Sequence, residues 1–284
     1  MVDDGRVDEL AGLPARPVVG LLHPGMMGAA LGSAMKRAAG AVIWAAAGRS
    51  DATSKRAELA DLVGVPDVAE LARRSDIIVS ICPPHAATEV AEQVAAALGD
   101  RAHRPLFVDA NAVSPATVQG IGELLGVARV VDGAVIGPPA WEPGRTVLWL
   151  SGAAATVVAE LFEGSPFEAR ALGPDLGAAS ALKACYALQS KAIPAAWLAV
   201  EAAARGYGVQ DALRSQLARD GVDLDAKLDD VGARAGAKAW RWVGEMEEAA
   251  DAVAAVGVPD GFSRSAAEMY RRMAEEGPTG QHER

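Results

Sequence analysis

The sequence predicts an α/β protein in two parts: a doubly wound parallel sheet over residues 1–173, then an all-helical domain over residues 174–284. Two observations predict it. In the first part, short β-rich runs alternate with stretches of helical periodicity, as in a parallel sheet with helical crossovers. After Gly173 the strand signals stop, and alanine-rich helical periodicity takes over.

The predicted elements follow in order. Strands fall at Val18–Leu22, Ala41–Trp44, Ile77–Ile81, Leu106–Asp109 and Val130–Val135, with helices at Met26–Ala39, Ser54–Leu62, Val68–Arg73, His85–Leu98 and Pro115–Leu125. Thr146–Ser151 and Pro166–Ala171 read as two more strands around a helix at Ala155–Phe162. A long helix is expected from Leu176 to Arg205; at roughly 1.5 Å per residue it spans about 45 Å, and Pro194 inside it should kink it. The polar tail Glu276–Arg284 is expected to fray.

Composition narrows the function. The 284 residues are 51% hydrophobic and 23% charged, enough for full cores in one large or two ordinary domains. A net charge of −10 argues against nucleic acid and anionic membranes as partners, so an anionic ligand needs a local basic site. With only Cys82 and Cys185, no disulfide framework is expected, and a reducing compartment is. Met1–Asp8 is acidic and lacks the apolar core of a signal peptide; no apolar run has membrane-spanning length, so a cytoplasmic protein is expected. No metal is expected.

Chemistry is concentrated at the predicted strand ends. Pro17–Gly28 reads as a buried strand, a tight turn and a helix opening on glycine, the layout of a dinucleotide-binding βαβ unit. The fingerprint G-x-G-x-x-G becomes His23-Pro24-Gly25-Met26-Met27-Gly28, with histidine at the first glycine. Backbone N–H groups there face a pyrophosphate. The second strand leads into Ala45-Ala46-Ala47-Gly48-Arg49-Ser50, with no acid there for a ribose 2′-hydroxyl. Arg49 and Ser50, helped by Lys55 or Arg56, suit a 2′-phosphate, which favours NADP(H) over NAD. Asp51 is the alternative, a ribose ligand if the strand runs longer. Cys82-Pro83-Pro84-His85 ends the next strand and offers a rigid ledge beside a cofactor, or merely a helix start at His85. Asn111 follows Asp109 at a strand's carboxyl end, where it reaches a nicotinamide or substrate, or serves only as a turn residue. Ser114-Pro115 reads as a helix cap.

Lys183 is the leading catalytic candidate. It shares a helical face with Tyr186, Ala187 and Ser190 among apolar neighbours, a cleft wall more than a solvent face. Trp240, Arg241, Trp242 and Glu245 are candidates for a substrate wall, or equally for a packed interface with a satisfied arginine.

These pieces in this order resemble the β-hydroxyacid dehydrogenase superfamily, which includes 6-phosphogluconate and 3-hydroxyisobutyrate dehydrogenases. The resemblance covers nearly the whole chain. Gly20–Gly28 matches the G-x-I-G-x-G-x-M-G motif apart from His23; Asp132–Pro138 aligns with D-A-P-V-S-G-G; Gly177 and Lys183 align with the G-x-x-x-x-x-K-x-x-N-N helix. Ile136 replaces the substrate-contacting serine, before Gly137, Pro138 and Pro139, while Tyr186 and Ala187 replace the two asparagines. The departures, and the segment Ala239–Glu247, are similar to a branch with a phosphogluconate-dehydrogenase-like helical domain of unassigned substrate.

The resemblance implies a Rossmann-type domain, NADP(H), hydride transfer to or from a carbonyl of a small molecule, and a homodimer through the helical domain. It makes Lys183 the general acid and base, with Asn111 and Tyr186 orienting the reacting oxygen. It places Ile136, Gly137, Pro138, Trp240 and Glu245 near the substrate. Imine reduction on the same scaffold and a non-catalytic NADPH sensor are the competing readings.

Overall fold

The computed structural model describes residues 13–99 and 104–276. The expectations for Met1–Asp8 and for the tail beyond Glu276 lie outside the described residues. The chain forms two compact units, 1–183 and 184–284.

In the first unit the strands are β1 (Val18–Leu22), β2 (Ala41–Ala45), β3 (Val63–Val65), β4 (Ile77–Ser80), β5 (Leu106–Asp109), β6 (Val130–Ile136), β7 (Val147–Ser151) and β8 (Glu168–Gly173). The helices are α1 (Met26–Met35), α2 (Asp51–Leu59), α3 (Val68–Arg74), α4 (Ala87–Leu98), α5 (Pro115–Leu125) and α6 (Ala155–Glu160). They build one eight-stranded sheet in the order β3-β2-β1-β4-β5-β6-β7-β8. Pairing is parallel from β3 to β6; β7 runs antiparallel to β6, and β8 parallel to β7. The fold class is as predicted, except that the last two strands reverse.

Both faces of the sheet are covered, and this explains why its strands read as unbroken apolar runs. Val19, Leu21, Ile77, Val79, Leu106 and Val108 share one core with Ala30, Ala34 and Met35 of α1. Leu22, Ile78 and Phe107 share the other with Leu71, Val90, Val94 and Ile121 from α3, α4 and α5. Gly20 lets α3 approach β1: a Cβ there would lie 2.3 Å from Ser75 Oγ and 2.5 Å from Leu71 Cδ2. Ser75 cannot give way cheaply, because its buried hydroxyl donates to Leu71 O at 2.7 Å.

Several boundaries differ from expectation. Ser50 Oγ accepts from Thr53 N–H at 3.3 Å, so this cap starts α2 at Asp51. His85 lies in a 3₁₀ turn, Pro84–Ala86, ahead of α4. Helix α1 ends at Met35 and not at Ala39.

Helix α7 (Ala178–Ala187) leads into a π-helical turn at Leu188–Ala192 and then α8 (Ile193–Tyr207). The expected disturbance at Pro194 therefore sits one turn upstream. Proline has no N–H for the carbonyl four residues back, that of Ser190. Arg234 Nη2 supplies the missing donor at 2.6 Å, and Tyr270 Oη–H donates to Lys191 O at 2.7 Å. Those two residues belong to α10 (Leu224–Ala235) and α12 (Gly261–Glu276), which with α9 (Gln210–Arg219) and α11 (Ala239–Ala254) complete the second unit. Its core is built from small residues, Ala184, Ala187, Ala195, Ala249, Ala266 and Ala267, around Met246 and Tyr270.

Two glycine substitutions should move stability in opposite directions. Gly20→Ala should lower the unfolding free energy by about 1–3 kcal/mol through overpacking against α3. At Gly120, inside α5, an added Cβ meets nothing within 4 Å among the described residues, so Gly120→Ala should raise stability by roughly 0.5–1 kcal/mol. Chemical denaturation of both variants checks the pair; shifts of the same sign would contradict this packing.

Candidate functional site

The parallel strands β1, β2, β4 and β5 deliver their following loops to one edge of the sheet, and the strand order reverses between β1 and β4. In open α/β sheets that reversal at the carboxyl edge is where ligands lie. His23 leaves β1 with φ +68°, a left-handed backbone that glycine adopts freely and histidine only at a cost. This explains why glycine is the expected residue. The turn closes with Gly25 N–H donating to His23 O at 2.7 Å.

The two remaining glycines of the turn differ in origin. At Gly28 a Cβ would lie 2.4 Å from His23 O, so the protein itself requires glycine there. At Gly25 a Cβ would meet no heavy atom within 4 Å among the described residues. Nothing in the protein demands glycine at that position, and the open space is what close approach of a ligand requires. No side chain caps α1, so the positive end of the helix faces this space. Pro24 is buried, Met27 packs partly into the core, and Met26 is exposed.

Arg49, Cys82 and His23 act on one another across the mouths of β2, β4 and β1. Burial and then the charge of Arg49 take the His23 imidazole down to about 4, against a backbone hydrogen bond at Leu22. Burial also lowers Arg49, while Cys82 raises it. Burial and then the charge of Asp109 push the Cys82 thiol up to about 12, so it is a neutral, unreactive sulfur. Among the described residues His23 Nδ1 and Arg49 Nε are buried without a hydrogen-bond partner. Two buried, unsatisfied nitrogens beside an open, uncapped helix start suit an anionic group such as a dinucleotide phosphate. Ser50, expected to reach that phosphate, instead spends its hydroxyl on Thr53, accepting from N–H and donating to Oγ1 at 3.1 Å. Lys55 is paired with Glu58 at 2.9 Å.

Asn111 is engaged within the protein. Its Oδ1 accepts from Cys82 N–H at 2.5 Å, and its Nδ2 donates to Asp109 Oδ2 at 2.9 Å and to Ser80 Oγ at 3.3 Å. It is buried, and both amide ends are committed. Asn111 ties the ends of β4 and β5 together.

The residues sequence reasoning left out are the carboxylates beneath Lys183. Asp109 and Asp132 are in register on β5 and β6, and both are fully buried. Asp132 Oδ1 accepts from Ser180 Oγ–H at 2.7 Å; its Oδ2 accepts from Ser180 N–H at 2.8 Å and from Ser151 Oγ–H at 3.2 Å. Ser151 Oγ accepts in turn from Ala179 N–H at 3.0 Å. Two orphan N–H groups of α7's first turn are thus capped from across the sheet. Burial raises both carboxyls against the hydrogen bonds from Asn111, Ser180 and Ser151 and the charge of Lys183, leaving Asp109 at about 7. The signal in the sequence is an aspartate closing or interrupting an apolar strand run.

The remaining candidates fall in both units. Pro83 is half-buried, Pro84 is buried, and His85 is exposed. Ile136 ends β6, half-buried. Gly137 takes φ +132°, and a Cβ there would strike Thr146 Oγ1 at 2.5 Å. Thr146 Oγ1–H donates to Pro138 O at 2.7 Å, so these two residues form a braced turn. In the helical unit Glu245 pairs with Lys191 at 2.8 Å, each side chain only 15% exposed. Trp242 meets Tyr270 edge-on at 5.0 Å, whereas Trp240 is 55% exposed and Tyr186 is 48% exposed. Among the described residues no group of three His, Cys, Asp or Glu side chains could hold a metal ion, and no helix is long and apolar enough to cross a membrane.

Comparison with known proteins places the two parts. Residues 6–121 match a Rossmann-like domain and residues 204–273 match DUF1932, a domain of unknown function. An uncharacterized 28.5 kDa protein of Methanothermus fervidus is 30% identical over 166 residues, 58% of this chain and 62% of that protein, under two thirds of its length. Among solved structures, a conserved hypothetical protein from Sinorhizobium meliloti 1021 is 23% identical with TM-score 0.68, covering 95% of this chain and 92% of that one. The 3-hydroxyisobutyrate dehydrogenase of Mycobacterium tuberculosis is 17% identical with TM-score 0.66, covering 93% and 95%. A reductive aminase from Aspergillus terreus, solved with NADPH4, cyclohexanone and allyl amine, is 19% identical with TM-score 0.54, covering 94% and 96%. These likenesses show a shared fold.

His23 and Asp109 should tilt the pH–stability curve in opposite senses. His23 is lowered from 6.5 to about 4, so its contribution is complete above pH 6.5 and is lost as pH falls toward 4. Asp109 is raised from 3.8 to about 7, so its contribution is complete below pH 3.8 and is lost as pH rises toward 7. Between those limits, unfolding free energy should rise more steeply with pH in Asp109→Asn than in wild type, and less steeply in His23→Asn. Slopes that move the same way in both variants would refute the assignment.

Proposed function

We propose that this chain, a Rossmann-like domain followed by a DUF1932 domain, is an NADP(H)-dependent oxidoreductase acting on a carbonyl or hydroxyl group of a small molecule. Lys183 is its general acid and base. The observation that carries the reading is Lys183 in electrostatic reach of two buried carboxylates at the edge of a doubly wound sheet. When bound, the nicotinamide supplies or accepts the hydride.

The chain's own residues do the rest. The open space at Gly25, the uncapped start of α1 and Arg49 receive the phosphates. Lys183 donates a proton to the oxygen of a carbonyl being reduced, or takes it from a hydroxyl being oxidised. Asp132 holds the first turn of α7 and so fixes where Lys183 stands. Tyr186, three residues along the same helix, helps orient the reacting oxygen. The loop after β2 supports NADP(H): it offers Arg49 and no acid for a 2′-hydroxyl. Likeness in fold to a dehydrogenase and to a reductive aminase supports hydride chemistry and keeps imine reduction as the second reading.

NADPH oxidation against ketones, aldehydes, keto acids and cyclic imines is the test. Lys183→Ala should lower carbonyl turnover about 10²–10⁴-fold, the usual weight of a general acid. Imine turnover that ignores the substitution selects the second reading, and NADPH binding without any turnover selects the non-catalytic sensor. Separately, Arg49→Ala should weaken NADPH binding by roughly ten- to a hundredfold, about 1.5–3 kcal/mol, and leave NADH binding little changed. Equal losses for the two would sink the NADP(H) assignment.

A further inference from the structure

We propose that His23 and Arg49 form a single clamp for the 2′-phosphate of the cofactor, in which the His23 imidazole takes up a proton from solvent as the phosphate arrives. The inference rests on the cofactor reading above and concerns a residue that reading does not use.

Three observations point to it. First, His23 holds a left-handed backbone at φ +68°, where glycine would be unstrained. Second, beyond a backbone hydrogen bond at its neighbour Leu22, the side chain has an Nδ1 buried without a partner among the described residues, and Arg49 Nε is in the same condition. Third, the charge that acts on the ring is the wrong one. Arg49 acts on His23 as a cation beside an imidazole, and that arrangement disfavours the protonated ring.

An anion between the two side chains reverses all of this. It accepts a hydrogen bond from each nitrogen, cancels the repulsion between them and favours the imidazolium. The other groups facing the pair do not compete. Cys82, from the end of β4, is a neutral thiol, and Asp109 lies behind it, committed to Asn111. Residue 49 follows β2 and residue 23 follows β1, adjacent parallel strands, so the clamp sits on the β2 side of the mouth. That is the side where the adenosine ribose of a dinucleotide is read.

The experiment is calorimetric titration of NADPH and of NADH into the whole chain at pH 6, in two buffers of different ionisation enthalpy, for wild type, His23→Asn and His23→Gly. Both replacements tolerate the left-handed backbone, so the fold is retained. A phosphate close to the ring should raise its pKa from about 4 to about 6, giving uptake of roughly half a proton per bound cofactor beyond that of either variant. Arg49 holds the bound phosphate ionised in all three proteins, so the phosphate's own titration cancels in the difference. With NADH the three proteins should show the same proton balance. NADPH binding with equal proton uptake in wild type and both variants would overturn the His23 clamp and leave the cofactor reading intact. His23-dependent uptake with NADH as well would move the contact to the pyrophosphate and overturn the 2′-phosphate assignment. Failure of wild type to bind either nucleotide would overturn both readings.

Discussion

The position of Lys183 depends on the grip of one carboxylate. Asp132 sits in the middle of an apolar strand and takes three donors, two from Ser180 and one from Ser151. Ser180 precedes Lys183 by three residues, so the anchored turn and the lysine share a face of α7. A negative charge against a helix start is favourable in itself. Here it also replaces the local cap that the sequence Gly177-Ala178-Ala179 does not supply. The sheet therefore fixes the first turn of the helix through a side chain as well as through packing, and Lys183, one turn on, inherits that precision.

The carboxyl edge of the sheet has two electrostatic characters. Around β1, β2 and β4 it offers His23, Arg49 and an uncapped helix start, in a chain whose net charge is −10. Around β5 and β6 it offers two buried carboxylates under a lysine. Asn111 and the neutral Cys82 stand between the two, and Asn111 joins the strands on either side. The proposed phosphate contacts and the proposed proton transfer thus fall on different halves of the edge.

The strands were legible because both faces of the sheet are buried. Runs such as Val18–Leu22 and Leu106–Asp109 leave little alternative to a buried strand. Val63–Val65 escaped for the opposite reason: it is a short edge strand, with Val63 exposed and a glycine at its centre. The glycine turn was legible from local pattern and order. The roles of Asp109, Asn111 and Asp132 were not, because their partners are chosen by strand order: Ser180 meets Asp132 only once β6, β7 and α7 converge. Likewise the pairing of Glu245 with Lys191, far earlier in the chain, could not be read from the helix alone. His23 was visible as an anomaly, but its cause, a backbone angle, is a property of the folded turn.

The π-helical turn ahead of Pro194 has an evolutionary consequence. A π turn holds one residue more than an α turn, so it rotates everything downstream by about 100° relative to an uninterrupted helix. The apolar stripe of α8 is therefore out of phase with that of α7, and the two segments answer to separate packing demands. A one-residue deletion here would straighten the helix and turn every later side chain away from its present neighbours. Length in this stretch is thus inherited more strictly than identity, and lineages that share the proline should also share the count of residues before it.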